Sequence, residues 1–320
     1  MSETRPVRAS EQLDWPSIEP YLRDRLGVSG GFAVEQFPGG HSNLTYLIRF
    51  GDREFVLRRP PLGPLPPRAH DMAREFRILE AVHPLFPLAP KPFLLSEGDF
   101  DSTFYVMERR HGRVLRDPSG APAPPPALID TLADLHAVDA THLGALGKPA
   151  GFMARQIRGW TERWNASKTS EIAQMEDVAR WLEARIPADP QQPSLVHGDY
   201  KLDNVMLDDA NNVVAVLDWE MSAIGDPLVD LGIFLCYTVY VDRALDRNAV
   251  LDRYASRSDR SLDDIGVYEV FAIFKLAVVV QQIYARYVKG QTDDPRFAGI
   301  GEKVAALARM AESAAQRLGC

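Results

Sequence analysis

Cysteine is scarce: the 320-residue chain has two, too few for a disulfide framework. Cys236 sits in the apolar run 231–237 and Cys320 is the last residue, so both are expected to be reduced, as in the cytoplasm. Positive charge is also in deficit, with 36 Lys and Arg against 44 Asp and Glu and a net charge of −8. That balance argues against nucleic acid or a membrane surface as a general partner, though it allows a local basic pocket. Residues 1–10 carry charges and a proline but no apolar core, so no secretory signal is expected. No long apolar run is uninterrupted. The longest stretch, 267–288, is broken by Glu269, Lys275, Gln281, Gln282 and Arg286. A bilayer span needs roughly 20 mostly apolar residues, so this segment is expected to be a buried helix.

Proline is plentiful and clustered, with five in 60–67 and another rich stretch at 117–126, both expected to be extended links. Between the N-terminus and the second break, short strands are expected at 32–37, 44–50, 54–58 and 104–107. Apolar residues alternate there, and Gly51-Asp52 makes a turn between two of them. Residues 69–82 carry Met72, Phe76, Leu79 and Val82 at helical spacing. Beyond residue 126 the chain is expected to be helical at 127–137, 152–168, 170–186, 231–240, 249–256, 265–289 and 298–318. A compact piece, 195–219, interrupts these helices. There is no internal repeat. The pattern predicts an α+β protein, with a small antiparallel-sheet lobe over residues 1–108 and a larger helical lobe over 109–320.

The chemistry concentrates in the interrupting piece. Val205–Leu207 and 213–217 flank a turn rich in Asp and Asn, a hairpin signal. Asn204 and Asp218 are symmetric about Asn211, so both fall at the open end of that hairpin. Two oxygen-bearing side chains there suit a hard cation, and Mg²⁺ commonly takes only one or two protein oxygens beside water and phosphate. Asp199, five residues before Asn204, could face a metal-bound phosphate and accept a proton from an incoming hydroxyl. Taken singly, each of these residues has an ordinary structural use as cap, turn or core group. Their joint order on one hairpin is what carries weight.

His197-Gly-Asp199-x-x-x-x-Asn204, followed by Leu217-Asp218-Trp219, resembles the catalytic and metal-binding motifs of the aminoglycoside phosphotransferase and choline kinase group. That resemblance implies a two-lobed protein-kinase-like fold with ATP and Mg²⁺ as cofactors. It also implies Asp199 as catalytic base, Asn204 and Asp218 as metal ligands, and His197 as a residue that positions the loop. Gly39, Gly40, Ser42 and Asn43 fall where the family places its nucleotide loop; glycines let backbone N–H groups approach phosphate closely. Arg58 stands where kinases usually carry a phosphate-binding lysine, a departure that puts nucleotide affinity and phosphate geometry in question. Glu75 matches that cation's acidic partner, and Met107 and Glu108 match the adenine-binding hinge. Asp230, after Gly225-Asp226-Pro227, matches the residue that braces the catalytic loop.

The runs Phe55-Val-Leu-Arg-Arg-Pro-Pro, Arg74-Glu-Phe-Arg-Ile-Leu79, Phe104-Tyr-Val-Met-Glu108 and Val216-Leu-Asp-Trp-Glu-Met-Ser222 resemble more closely the kinase-like domain fused to some acyl-CoA dehydrogenases. The partner expected on that basis is a small hydroxylated molecule such as a hydroxyacyl-CoA. Arg155, Arg158, Trp160, Arg163 and Trp164 are candidates to hold its negative charge, and an ordinary helix with two core tryptophans is an equal alternative. A nucleotide-binding scaffold without transfer activity is a second expectation, favoured by Arg58. A protein kinase is a third, disfavoured because Asp218-Trp219-Glu220 runs almost directly into Gly225-Asp226-Pro227 and leaves little room for an activation loop.

Overall fold

The computed structural model describes residues 3–38, 43–61, 71–100, 102–115, 124–292 and 294–319. The proline-rich stretch 60–67 lies largely outside these residues, as does most of 117–126. The chain packs as two discontinuous units, Met1–Val114 with Val205–Met221, and Leu115–Asn204 with Ser222–Cys320. Each unit draws on two stretches of the chain, where the sequence pattern predicts a single division after residue 108.

The first unit contains α1 (Trp15–Leu26), β1 (Phe32–Gln36), β2 (Leu44–Phe50), β3 (Arg53–Arg59), α2 (Met72–Val82), β4 (Pro92–Ser96) and β5 (Phe104–Glu108). The five strands form one antiparallel sheet in the order β1-β2-β3-β5-β4. Alternation explains its two faces. Tyr46, Ile48 and Phe50 of β2, Phe55 and Leu57 of β3, and Phe104 and Val106 of β5 share one buried cluster with Ile18 and Leu22 of α1. Gly51 holds a left-handed conformation (φ 57°) in the turn that sets the β2–β3 register, where Phe50 faces Arg53. On α2, Asp71 caps the helix by accepting from the Arg74 N–H at 2.9 Å. A short hairpin, Val205–Leu207 with Val213–Val216, belongs to this unit and pairs Val205 with Val216.

The second unit is helical: α3 (Ala127–His136), α4 (Phe152–Ser167), α5 (Ala173–Glu183), α6 (Leu228–Leu235), α7 (Arg247–Ala255), α8 (Ile265–Val288) and α9 (Gly301–Arg317). α8 is long and apolar enough to cross a bilayer by length and composition, yet 72% of its apolar window is buried inside the unit. α4, α5, α6 and α9 pack on it. Gly232 allows the α6–α8 approach, since a Cβ there would meet the Tyr268 carbonyl oxygen at 2.7 Å. α6 runs on into a π-helical turn, Cys236–Val241. Cys236 is a free, buried thiol, pushed up to about 12 by burial.

Candidate active site

In the second unit the sequence that carries Asp199 is a loop pinned from below. Gly198 adopts φ +82°, a conformation that side chains rarely adopt. Asp230, on α6 and fully buried, accepts from the His197 N–H at 2.6 Å and from the Gly198 N–H at 2.7 Å. His136 Nε2 lies 3.3 Å from the same carboxylate, and its Nδ1 meets the Tyr254 hydroxyl at 2.7 Å. Burial pushes the Asp230 carboxyl up, but His136, His197 and the backbone donors more than offset that and hold it below the usual range. His197 is itself buried; its Nδ1 accepts from the Asp199 N–H at 3.2 Å and its carbonyl from the Ser222 hydroxyl at 3.2 Å. Its contacts orient the loop.

The Asp199 side chain is held at one oxygen. Oδ2 accepts from Lys201 Nζ at 2.7 Å and from Asn204 Nδ2 at 3.0 Å. Among the described residues nothing donates to Oδ1, and the side chain is 21% exposed. One oxygen is thus anchored by two donors. Asn204 Nδ2 also donates to the Asp199 carbonyl at 2.9 Å, which turns the amide oxygen of Asn204 the other way. Burial works against the charge on Lys201, and Asp199 more than restores it, so the ammonium is held above the usual lysine range. Lys201 also lies over the Tyr237 ring, 5.3 Å from its centroid, where the π-helical turn presents that side chain.

In the first unit the equivalent centre is Arg58. Its guanidinium is buried and forks between two carboxylates: Nη1 to Glu75 Oε1 at 2.8 Å, Nη2 to Asp218 Oδ1 at 3.0 Å. Burial pushes the Glu75 carboxyl above the usual carboxylate range; Arg58 opposes the rise, while Asp218 and Glu220 add to it. The two partners fare differently. Burial works against the charge on Arg58, but Glu75, Tyr105 and Asp218 outweigh it, whereas Glu75 is buried beside one cation and two further acids. Asp218 holds a left-handed backbone conformation (φ 68°), uncommon for a residue with a side chain and concentrated at functional sites. Trp219 fixes this turn through an Nε1–H bond to the Val216 carbonyl at 2.8 Å and ring packing on Phe86.

Of the residues expected at the nucleotide, Gly39, Gly40 and Ser42 lie outside the described residues. Asn43 is buried, with Nδ2 3.4 Å from Glu220 Oε2. The structure brings Arg58, Glu75 and Asp218 together as one ionic cluster. Met107 and Glu108 end β5; the Glu108 N–H is engaged by the Lys91 carbonyl at 2.8 Å, so that donor is already used. On α4, Arg155, Arg158 and Arg163 are exposed while the two tryptophans take the core positions that were the equal alternative. Trp160 and Trp164 are buried, because helical spacing turns them inward on α4. Arg155 bonds back to the carbonyls of Lys148 and Ala150, and Arg163 bonds to the Gly159 carbonyl while lying over the Trp160 ring. Sequence reasoning missed Lys201, although it sits inside the Asp199–Asn204 motif. It also missed His136, 94 residues from Asp230, for which no sequence signal stands out.

Among the described residues no group of three or more His, Cys, Asp or Glu could hold an ion. Asn204 in the second unit and Asp218 in the first each carry an oxygen donor of the hard kind that Mg²⁺ takes.

A small antiparallel sheet, a helical unit and a braced His-Gly-Asp loop define a kinase-like phosphotransferase, and the comparisons agree. The family model of the phosphotransferase enzyme family matches residues 33–265, and the chain belongs to that family. The chain therefore falls in a family of phosphotransferase enzymes. Among particular relatives, it is 32% identical over 340 residues to acyl-CoA dehydrogenase family member 10 of Mus musculus, covering 96% of this chain but only 32% of that protein. A solved structure from Ralstonia eutropha, assigned to the aminoglycoside phosphotransferases, is 29% identical with a TM-score of 0.80, covering 96% of this chain and 99% of that one. The ternary complex of the aminoglycoside phosphotransferase APH(4)-Ia with AMP-PNP and hygromycin B shares the fold at 18% identity and a TM-score of 0.62, covering 95% and 99%.

Proposed function

We propose that this phosphotransferase transfers the terminal phosphoryl group of ATP to a hydroxyl of a small, anionic molecule, with a hydroxyacyl-CoA as the leading candidate. The observation that carries the reading is Asp199, anchored through Oδ2 by Lys201 and Asn204 and with Oδ1 left to take the acceptor's proton. In this reading residues 1–108 hold the nucleotide and 109–320 carry the acceptor chemistry. Arg58 keeps Asp218 oriented, and Gly39, Gly40, Ser42 and Asn43 are the residues assigned to the phosphates. Asn204 and Asp218 are the residues that would hold Mg²⁺; when bound, the ion neutralises phosphate charge. Catalysis is then mainly positioning, with Asp230 and His136 setting the direction in which Asp199 points.

An anionic acceptor is supported by the ammonium of Lys201 beside the base and by the name of the acyl-CoA dehydrogenase relative. The test is ADP release with MgATP across 4-hydroxyacyl-CoA, choline, homoserine and aminoglycosides, with Asp199→Asn as control. Turnover on the thioester, reduced about 10²- to 10⁴-fold in the control, is expected. Turnover on choline or an aminoglycoside alone would overturn the anionic acceptor, and phosphoryl transfer undiminished in Asp199→Asn would overturn the base.

A further inference from the structure

The apolar helix α8 carries one lysine in its buried middle, and that lysine reaches the catalytic loop. Lys275 is 8% exposed. Its Nζ donates to the Gly198 carbonyl oxygen and lies 5.3 Å from the centroid of the Trp160 ring. Among the described residues it is no member of an ion pair. Burial outweighs Asp199 and Asp230, which favour its charge at longer range, so the ammonium is costly here, and an apolar side chain of similar shape would fill the same space with less penalty. Stability of α8 therefore gives no reason for a lysine here.

The reason lies in what it holds. The Gly198 carbonyl and the Asp199 N–H belong to one peptide group. Asp230 grips the N–H on the other side of Gly198, at 2.7 Å. Gly198, at φ +82°, has no Cβ to limit its backbone torsions. Besides Lys275, the peptide beyond Gly198 is held through the Asp199 N–H, which donates to His197 Nδ1 at 3.2 Å, and turning it would break that bond and carry Asp199 with it. An anion on one side of this glycine and a cation on the other fix both peptide planes.

We propose that Lys275 is a positioning residue: by donating to the Gly198 carbonyl it locks the peptide that carries Asp199, and Trp160 holds its ammonium in place. The inference concerns the same site as the phosphotransfer reading and rests on it for its effect on turnover, but not for its effect on the loop. Two measurements keep those apart. Lys275→Met retains the straight stem and removes the donor; Lys275→Arg retains charge and donors. Hydrogen exchange at the Asp199 amide reports directly on rotation of the locked peptide. Expected in Lys275→Met are exchange at least about tenfold faster at Asp199, an unfolding temperature no lower than the parent's, and kcat lower by about 10²-fold with the nucleotide KM within about twofold. Lys275→Arg is expected to restore slow exchange. Unchanged exchange at Asp199 in Lys275→Met would overturn the proposal, whatever the turnover. So would faster exchange that tracks a general loss of stability through α8. If Lys275→Met does not fold, Lys275→Gln, whose amide falls short of the ammonium's reach, decides: faster exchange at Asp199 supports the lock, and unchanged exchange refutes it. Absence of turnover on every acceptor would sink the phosphotransfer reading and leave the exchange result intact.

Discussion

Replacing Asp230 with asparagine isolates the brace beneath the catalytic loop. The carboxylate accepts two backbone N–H groups, from His197 at 2.6 Å and Gly198 at 2.7 Å, in a fully buried setting. An asparagine keeps one acceptor oxygen but turns an NH₂ group toward the other N–H. One bond to a charged group, worth about 1.5–3 kcal/mol, is lost, and one buried donor is left unsatisfied at a further cost of about 1–3 kcal/mol. The expected destabilisation at neutral pH is therefore roughly 3–5 kcal/mol, to be read by urea unfolding with hydrogen exchange on peptides of the second unit. The pH dependence has a definite sign. The folded-state pKa of Asp230 is held below its usual value, so its stabilisation is present above the unfolded pKa, about 3.9, and is lost as pH falls through the folded value. The asparagine of the variant does not titrate, so the gap between the two proteins should be widest at neutral pH and shrink on acidification. A difference below about 1 kcal/mol at pH 7, or one that stays constant down to the lowest pH at which the parent folds, would refute the reasoning.

Two further outcomes follow from the same geometry. Arg58→Lys replaces a fork that touches Glu75 and Asp218 at once with a point charge able to satisfy one of them well. A loss of about 1.5–3 kcal/mol in stability of the first unit is expected. Thermal unfolding with an unchanged midpoint would contradict it. Gly198→Ala forces a side chain into φ +82°, and the strain, about 1–2 kcal/mol, falls on the loop that aims Asp199. Turnover should drop while MgATP affinity, measured by calorimetry, stays within about threefold.

Much of this was legible in the chain. The hairpins of the first sheet follow from strict alternation around Gly51, and β2 appears with the expected ends. α1 was not legible, because Pro16 and Pro20 interrupt it and only Ile18 and Leu22 mark its buried face. β4 begins at a proline and follows a proline-rich approach, which masks it. Asp199, Asn204 and Asp218 stand out because their order survives in one short segment. What surrounds them does not: His136, Asp230 and Lys275 converge on the loop from three separate helices, and no local spacing encodes that meeting. Lys275 is visible in sequence only as an interruption of an apolar run. Trp160 and Trp164 left two readings open, and helical spacing sends both inward.

The fork of Arg58 has a consequence for the order of events. At rest Asp218 already has a cation against Oδ1, at 3.0 Å. If Asp218 holds Mg²⁺ as proposed, a divalent ion arriving alone would have to compete with that guanidinium for the same carboxylate, and it would bring no new anion to share. A nucleotide carrying its ion would supply several negative charges for the guanidinium to meet. In that reading the carboxylate would act as a gate on composition: bare Mg²⁺ should bind weakly, and the metal–nucleotide complex should be admitted as one unit.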